Sequence, residues 1–373
     1  MNLPHPSELL SKEWTSIIRE ASSQSEIERK LPKAQLDLIF NQGWFKLMVP
    51  ASYGGGQKPV DEAIQFIEAL AWADGSLGWN VALGAMAAFQ SAFVNRDTSK
   101  MTLTGGDFYP TFCRTASGTA EPTENGYVIN GKWDYISGSA EANFIVINCI
   151  ENKDGHPVSN EDGNLRILSF VLLKSEISVV PGWKSLGMLG TTGDSIVATN
   201  LSVDKERMFV MGEGRMENNS LYSFPFLQLC EACLAAVVSG LTLHYLDLAN
   251  AYFSSRNTPD GVLLAEDRVV QGELGRLTRK FDAAREKLFY SVSILWMACA
   301  EHKPLYPSLL NKVSAATAVL AQVSRETVND LYPFCGISVT EQDSEFNRVW
   351  RDFQTCGQHS LLVFGGITSL YYR

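Results

Sequence analysis

The chain has 373 residues, 45% hydrophobic and 19% charged, and its 31 Lys and Arg against 41 Asp and Glu leave a net charge of −10. That length and apolar content argue against a disordered, collagenous or disulfide-stapled chain and predict two or three domains with ample core. The acidic balance, with no basic tract, argues against nucleic-acid or anionic-membrane binding, since those partners are held by Lys and Arg neutralising phosphate.

Leu10, Trp14, Ile17, Ile18 and Ala21 repeat at helical spacing, as do Ala63, Phe66, Ile67, Leu70 and Ala71, so residues 1–110 read as an N-terminal helical domain. Residues 75–95 carry no charge and approach the length of a membrane span, but Gly, Ser, Asn and Gln interrupt them, and a buried core helix is expected.

From Thr111 the period changes to that of strands. Tyr127 to Tyr135 reads as two short runs around Asn130-Gly131, a pair suited to a hairpin turn. Further strands are expected at 144–150, 165–173, 177–180 and 195–203, with no helical segment between them. Residues 111–212 are therefore expected to form a central antiparallel β-barrel or sandwich domain, distinct from a parallel nucleotide-binding sheet.

After Gly212–Gly214 helical stripes return at 226–256, 262–302, 311–331 and 345–364, predicting a C-terminal four-helix bundle over 213–373. The fold class is α+β, in the order α, β, α.

Seven scattered cysteines do not read as a disulfide framework, and the opening MNLPHPSELLSKEW has no basic segment leading into an apolar core, so a reducing, cytoplasmic location without signal peptide is expected. Cys230-Glu-Ala-Cys233 is a lone CxxC in a helix interior, expected to be core; no metal site is expected. The chain lacks GxGxxG after a strand, GxxxxGK[ST] and GxSxG, so it shows no nicotinamide or nucleoside triphosphate site of its own. His359 lies two helical turns beyond Asp352 if one helix continues, which makes it either a catalytic imidazole or a partly buried histidine near the chain end.

With this α, β, α order, MVPASYGG (48–55), GYVINGKWDYISG (126–138), WKSLGMLGTTGDS (183–195) and NRVWRD (347–352) resemble the acyl-CoA dehydrogenase superfamily from about Leu31 to Phe364. The resemblance implies a flavin lying between the β domain and the bundle, touched by Phe112, Arg114, Thr115, Tyr135 and Ser137. It also implies a homotetramer, in which Arg256 meets flavin phosphate from a neighbouring subunit or is simply a helix-end cation.

Several positions depart from the dehydrogenase pattern. The place of the usual glutamate base is Ser360, and an alternative base position is Cys230, with Glu231 about 100° away on the helix. Asp74-Gly-Ser-Leu-Gly-Trp79, Trp133-Asp-Tyr-Ile-Ser-Gly138 and Trp350-Arg-Asp to His359 instead resemble the oxygenase components of two-component flavin monooxygenases. That branch implies reduced FAD or FMN, bound or diffusing, delivered by a separate flavin reductase, and a small aromatic or similar substrate. It implies His359 as base with Asp352 orienting it, Ser137 as the hydroxyl near flavin N5, and Trp79 as pocket wall or core. The alternatives are an acyl-CoA dehydrogenase or nitroalkane-type oxidase with a displaced base, and a non-catalytic binding module.

Overall fold

The computed structural model describes residues 3–103 and 107–363. Short helices and loops aside, the N-terminal part is α1 (Lys12–Glu28), α2 (Lys33–Gln42), α3 (Val60–Ala73), α4 (Gly75–Phe89) and α5 (Arg96–Leu103). The charge-free run forms α4, which starts where the side chain of Asp74 accepts the Leu77 N–H at 2.8 Å. Nearly every residue of α4 is buried, so the apolar stretch is core.

The strands are β1 (Pro110–Pro122), β2 (Gly126–Ile136), β3 (Phe144–Lys153), β4 (His156–Pro157), β5 (Ile167–Leu173), β6 (Ser178–Val180), β7 (Asp194–Asp204) and β8 (Met208–Phe209). They form one open sheet in the order β6-β7-β2-β1-β3-β5-β8, with β4 paired to β3. All pairings are antiparallel except β1 with β3, so the sheet is mixed where a purely antiparallel one was expected.

The expected hairpin at Asn130-Gly131 does not form. β2 runs straight through, pairing with β1 on one side and β7 on the other. Gly131 is required by close approach: a Cβ there would lie 2.6 Å from the Gly118 Cα and 2.8 Å from the Trp133 ring.

The remaining helices are α6 (Phe226–Phe253), α7 (Arg268–Ala300), α8 (Pro307–Leu331), α9 (Glu345–Cys356) and the short α10 (Ser360–Val363). Three of these match expected stripes, whereas the fourth stripe, 345–364, is broken at Gly357 into α9 and α10, and residues 364–373 lie outside the described residues. Among the described residues one helix, α6, is long and apolar enough to cross a membrane, but 89% of its most apolar window is buried inside the protein. α6 packs on both α3 and α8, at the centre of the molecule.

Candidate active site

A cavity of about 710 Å³ opens where α4, the ends of β1 and β2, the loop 182–193, α6 and the turn after α9 converge. Its lining includes Trp79, Phe112, Arg114, Thr115, Tyr135, Ser137 and His359, so seven of the nine residues singled out from sequence meet in one place. The exceptions are Asp352 and Arg256.

Both strands that reach the cavity are bulged there. From Phe112 (opposite Val146) to Ala116 (opposite Asn148), β1 advances four residues against two on β3. From Trp133 (opposite Ile196) to Ile136 (opposite Asp194), β2 advances three against two on β7. Bulges re-aim side chains away from strict alternation. They explain how Phe112, Cys113, Arg114 and Thr115, four successive residues, all line one cavity. Tyr135, in the second bulge, has φ of +61°, a conformation costing a non-glycine residue roughly 1–2 kcal/mol, and its ring is 78% exposed at the cavity.

Inside, Trp79 Nε1 donates to Ser137 Oγ at 3.0 Å, and the Ser137 carbonyl accepts from Thr111 Oγ1 at 2.6 Å. With one lone pair used, the Ser137 hydroxyl keeps its hydrogen and a second lone pair for a ligand. The His359 ring stands edge-on to Trp79, centroids 5.8 Å apart. Its Nδ1 accepts the Leu361 N–H at 3.3 Å, which assigns the proton of the neutral ring to Nε2. Burial, with the Arg114 charge adding to it, pushes the imidazole down to about 4. An imidazole of ordinary basicity was expected; here it is a neutral ring and a weak base.

Asp352 does not orient His359. Helix α9 ends at Cys356 with Gly357 as its cap, so the two residues are not on one continuous helix face. The buried Asp352 carboxyl accepts the Met188 N–H at Oδ1 instead. Met188 has φ of +55°, and its carbonyl accepts from Trp183 Nε1 at 3.0 Å and Thr191 Oγ1 at 2.7 Å. Asp352 therefore fixes the cavity wall made by loop 182–193. Gly187 lets that loop lie on α9, since a Cβ would sit 2.2 Å from the Arg351 carbonyl carbon. Burial and the nearby Asp74 push the Asp352 carboxyl up to about 8.

Cys230, expected as simple core, lines the cavity, and burial pushes its thiol up to about 12. It is thus neither a base nor a thiolate nucleophile at neutral pH. Ser360 also lines the cavity, so the usual glutamate position faces it without a carboxylate. Arg256 is exposed beyond the end of α6, 5.8 Å from the Tyr252 ring centroid and outside the cavity lining. Trp183, Met188 and Thr191 belong to the motif at 183–195, and nothing in their spacing reveals that the loop folds back over the cavity.

Residues 232–364 match the model of the acyl-CoA dehydrogenase C-terminal domain. That match covers the C-terminal helices of the chain. Among relatives, it is 22% identical to the indole-3-acetate monooxygenase of Acinetobacter baumannii over 350 residues, covering 92% of this chain and 88% of the other. It is 21% identical to the flavin-dependent monooxygenase oxygenase subunit HsaA of Rhodococcus jostii over 352 residues, covering 90% and 89%. XiaF from Streptomyces sp., solved with FADH2 and glycerol, superposes with a TM-score of 0.86 at 20% identity, covering 94% of this chain and 89% of that one. The cavity has residues that fit a flavin. Tyr135 offers an uncovered aromatic face, Ser137 a hydroxyl with hydrogen-bonding capacity left, and the cavity of about 710 Å³ falls in the range of cofactor pockets.

Proposed function

We propose that this protein is the oxygenase component of a two-component flavin-dependent monooxygenase acting on a small aromatic substrate. The observation that carries the reading is the convergence of Trp79, Ser137 and His359 in one largely apolar cavity that has no carboxylate at position 360. The relatives' activities point the same way.

When bound, reduced flavin supplies the electrons that activate O2, so that one oxygen atom is transferred to the substrate. The chain's own residues provide the setting. Tyr135 and Phe112 present apolar surface to the flavin and Thr115 a hydroxyl. Ser137, held by Trp79, would offer its hydroxyl to the flavin as a hydrogen-bonding partner. Apolar walls from Leu83, Met86, Leu234 and Leu361 exclude water, which protects a reactive oxygen species from wasteful breakdown. His359 holds its proton on Nε2 and serves as a hydrogen-bond donor to an oxygen of the reacting partners. Asp352 positions the loop wall through Met188.

The lack of a nicotinamide motif supports a separate flavin reductase as partner. A homotetramer, with Arg256 reaching flavin phosphate of a neighbouring subunit, and a cytoplasmic location belong to the same reading. So does the division into segments 1–110, 111–212 and 213–373 as helical, β and bundle domains. FAD and FMN both remain within it.

The test is anaerobic mixing of the chain with chemically reduced FMN or FAD, followed by oxygen. Saturable uptake of reduced flavin and slower reoxidation than in free solution are expected. Reoxidation at the free rate, with no uptake, contradicts the proposal.

A further inference from the structure

A neutral imidazole has one basic nitrogen, and in His359 that nitrogen is occupied inside the protein. Nδ1 accepts the Leu361 N–H at 3.3 Å. The residue is pinned in the turn between α9 and α10: its N–H donates to the Cys356 carbonyl at 3.1 Å, and its carbonyl accepts from the N–H groups of Leu362 at 2.8 Å and Val363 at 3.1 Å. On the cavity side the Trp79 ring stands 5.8 Å away, centroid to centroid. Exchanging the tautomer would set two N–H groups against each other, and turning the ring over would leave the Leu361 N–H facing a carbon. Toward the cavity the imidazole is therefore a hydrogen-bond donor through Nε2.

No other group among the described lining residues is placed to take a proton from a substrate near neutral pH. Asp134 is the carboxylate of the lining, and it is held at its Oδ1 by Lys132 Nζ at 2.7 Å and Ser195 Oγ at 2.6 Å, which lowers its carboxyl further. Burial raises the thiols of Cys113, Cys230 and Cys356. The lining cation Arg114 is engaged in an interaction of its own. The wall beside Trp79 and His359 is built from Leu83, Met86, Leu234 and Leu361, and such surroundings raise a phenol's pKa as they raise a thiol's.

Oxygen transfer needs an electron-rich atom on the substrate. A phenol gains that character chiefly by losing its hydroxyl proton, whereas an indole-type ring carbon has it in the neutral molecule. We propose that this cavity takes a neutral, electron-rich N-heteroaromatic of the indole type in preference to a phenol, with His359 contributing as a donor through Nε2. This rests on the monooxygenase reading of the same cavity and names the substrate class for it. In the net reaction a ring C–H becomes C–OH. The C–H and O–O bonds break and C–O and O–H bonds form, while the two electrons and two protons of the reduced flavin carry the second oxygen off as water. The ring sheds its proton to solvent after the C–O bond has formed, so no base is needed beforehand.

The test supplies reduced FMN or FAD and oxygen to the purified full chain at pH 6 to 9. The substrates are indole, 1-methylindole, 5-methylindole as a size control, phenol and resorcinol, and oxygenated product is counted per flavin consumed. At pH 7 the three indoles are expected to give comparable yields, including 1-methylindole, which has no N–H to lose, and the phenols about ten-fold less or below detection. Where phenol product is measurable, its ratio to indole product rises about ten-fold per pH unit toward the phenol's own pKa of about 10. His359→Gln, which keeps an N–H donor without a basic nitrogen, retains indole product within about ten-fold of wild type, and His359→Leu falls below it.

Phenols oxygenated at pH 7 as well as indole overturn the proposal. So does measurable phenol product in a ratio to indole that does not change with pH, or product from indole and 5-methylindole with none from 1-methylindole. Each of these leaves the proposed function standing. His359→Gln no better than His359→Leu, in chains that still take up reduced flavin, overturns the donor role. No oxygenated product from any of the five compounds contradicts the proposed function and this inference with it.

Discussion

The indole nitrogen of Trp79 donates to the hydroxyl of Ser137 at 3.0 Å, tying helix α4 to the end of strand β2 inside the cavity. Both residues are buried, and the bond sets which way the Ser137 oxygen faces. Trp79→Phe keeps an aromatic ring, though a smaller one, and removes the donor, at a cost of about 1 kcal/mol for the hydrogen bond. The fraction of reduced flavin consumed that appears as oxygenated product should fall several-fold, with flavin affinity changed by less than about ten-fold. Product and peroxide assays on the same samples check this.

His359 is held down to about 4 by burial and by Arg114, so it stays neutral from about pH 5 upward. Its oxygenation rate should therefore show no inflection near 6.5, and His359→Ala should lower the yield of oxygenated product by about ten- to hundred-fold. A rate that rises with pH through 6.5, and loses that rise in His359→Ala, would identify an imidazole of ordinary basicity acting as a base. The same depressed value has a stability consequence. Between about pH 6.5 and 4 the unfolded chain takes up a proton at this position that the folded chain does not, so this contribution to stability is lost as pH falls through that window.

Asp352 has the opposite sign. Its carboxyl is raised to about 8 by burial and by Asp74, so from about pH 4 to 8 the folded chain holds a proton that the unfolded chain releases, and its stabilising contribution fades as pH rises through 8. Asp352→Asn keeps an oxygen for the Met188 N–H and cannot ionise. It should melt higher than wild type at pH 9, by roughly 2–4 °C, and show little difference at pH 5. Thermal melts at the two pH values decide it; equal shifts at both would mean that the titration of this carboxyl is irrelevant.

All seven cysteines are buried with free thiols, and burial raises the thiols of Cys149, Cys230 and Cys335 to about 12 and of Cys299 to about 11. Iodoacetamide at pH 8 should label the native chain at well under one site and the denatured chain at all seven, as read by intact mass.

Much of this was legible in the residues. Helical stripes located α1, α3, the three long C-terminal helices and α9, and alternation located most strands. Seven cavity residues followed from motifs. What was not legible depends on contacts distant in sequence. Asn130-Gly131 has the chemistry of a turn, but pairing with strands on both sides, and the space taken by Trp133, decided for a continuous strand. Asp352 and His359 share helical spacing, yet the helix stops at Gly357. The bulges that aim Arg114 and Tyr135 appear only once β3 and β7 are in register beside them.

The central claim is oxygen transfer from O2 to an aromatic substrate. The most direct measurement supplies reduced FMN or FAD, ¹⁸O2 and a panel of indole, resorcinol and indole-3-acetate to the purified chain, and weighs the products. The account predicts a product of at least one of these carrying a single ¹⁸O atom, formed only with the protein present. Stoichiometric peroxide from the reduced flavin, with no ¹⁸O in any organic product, would contradict it.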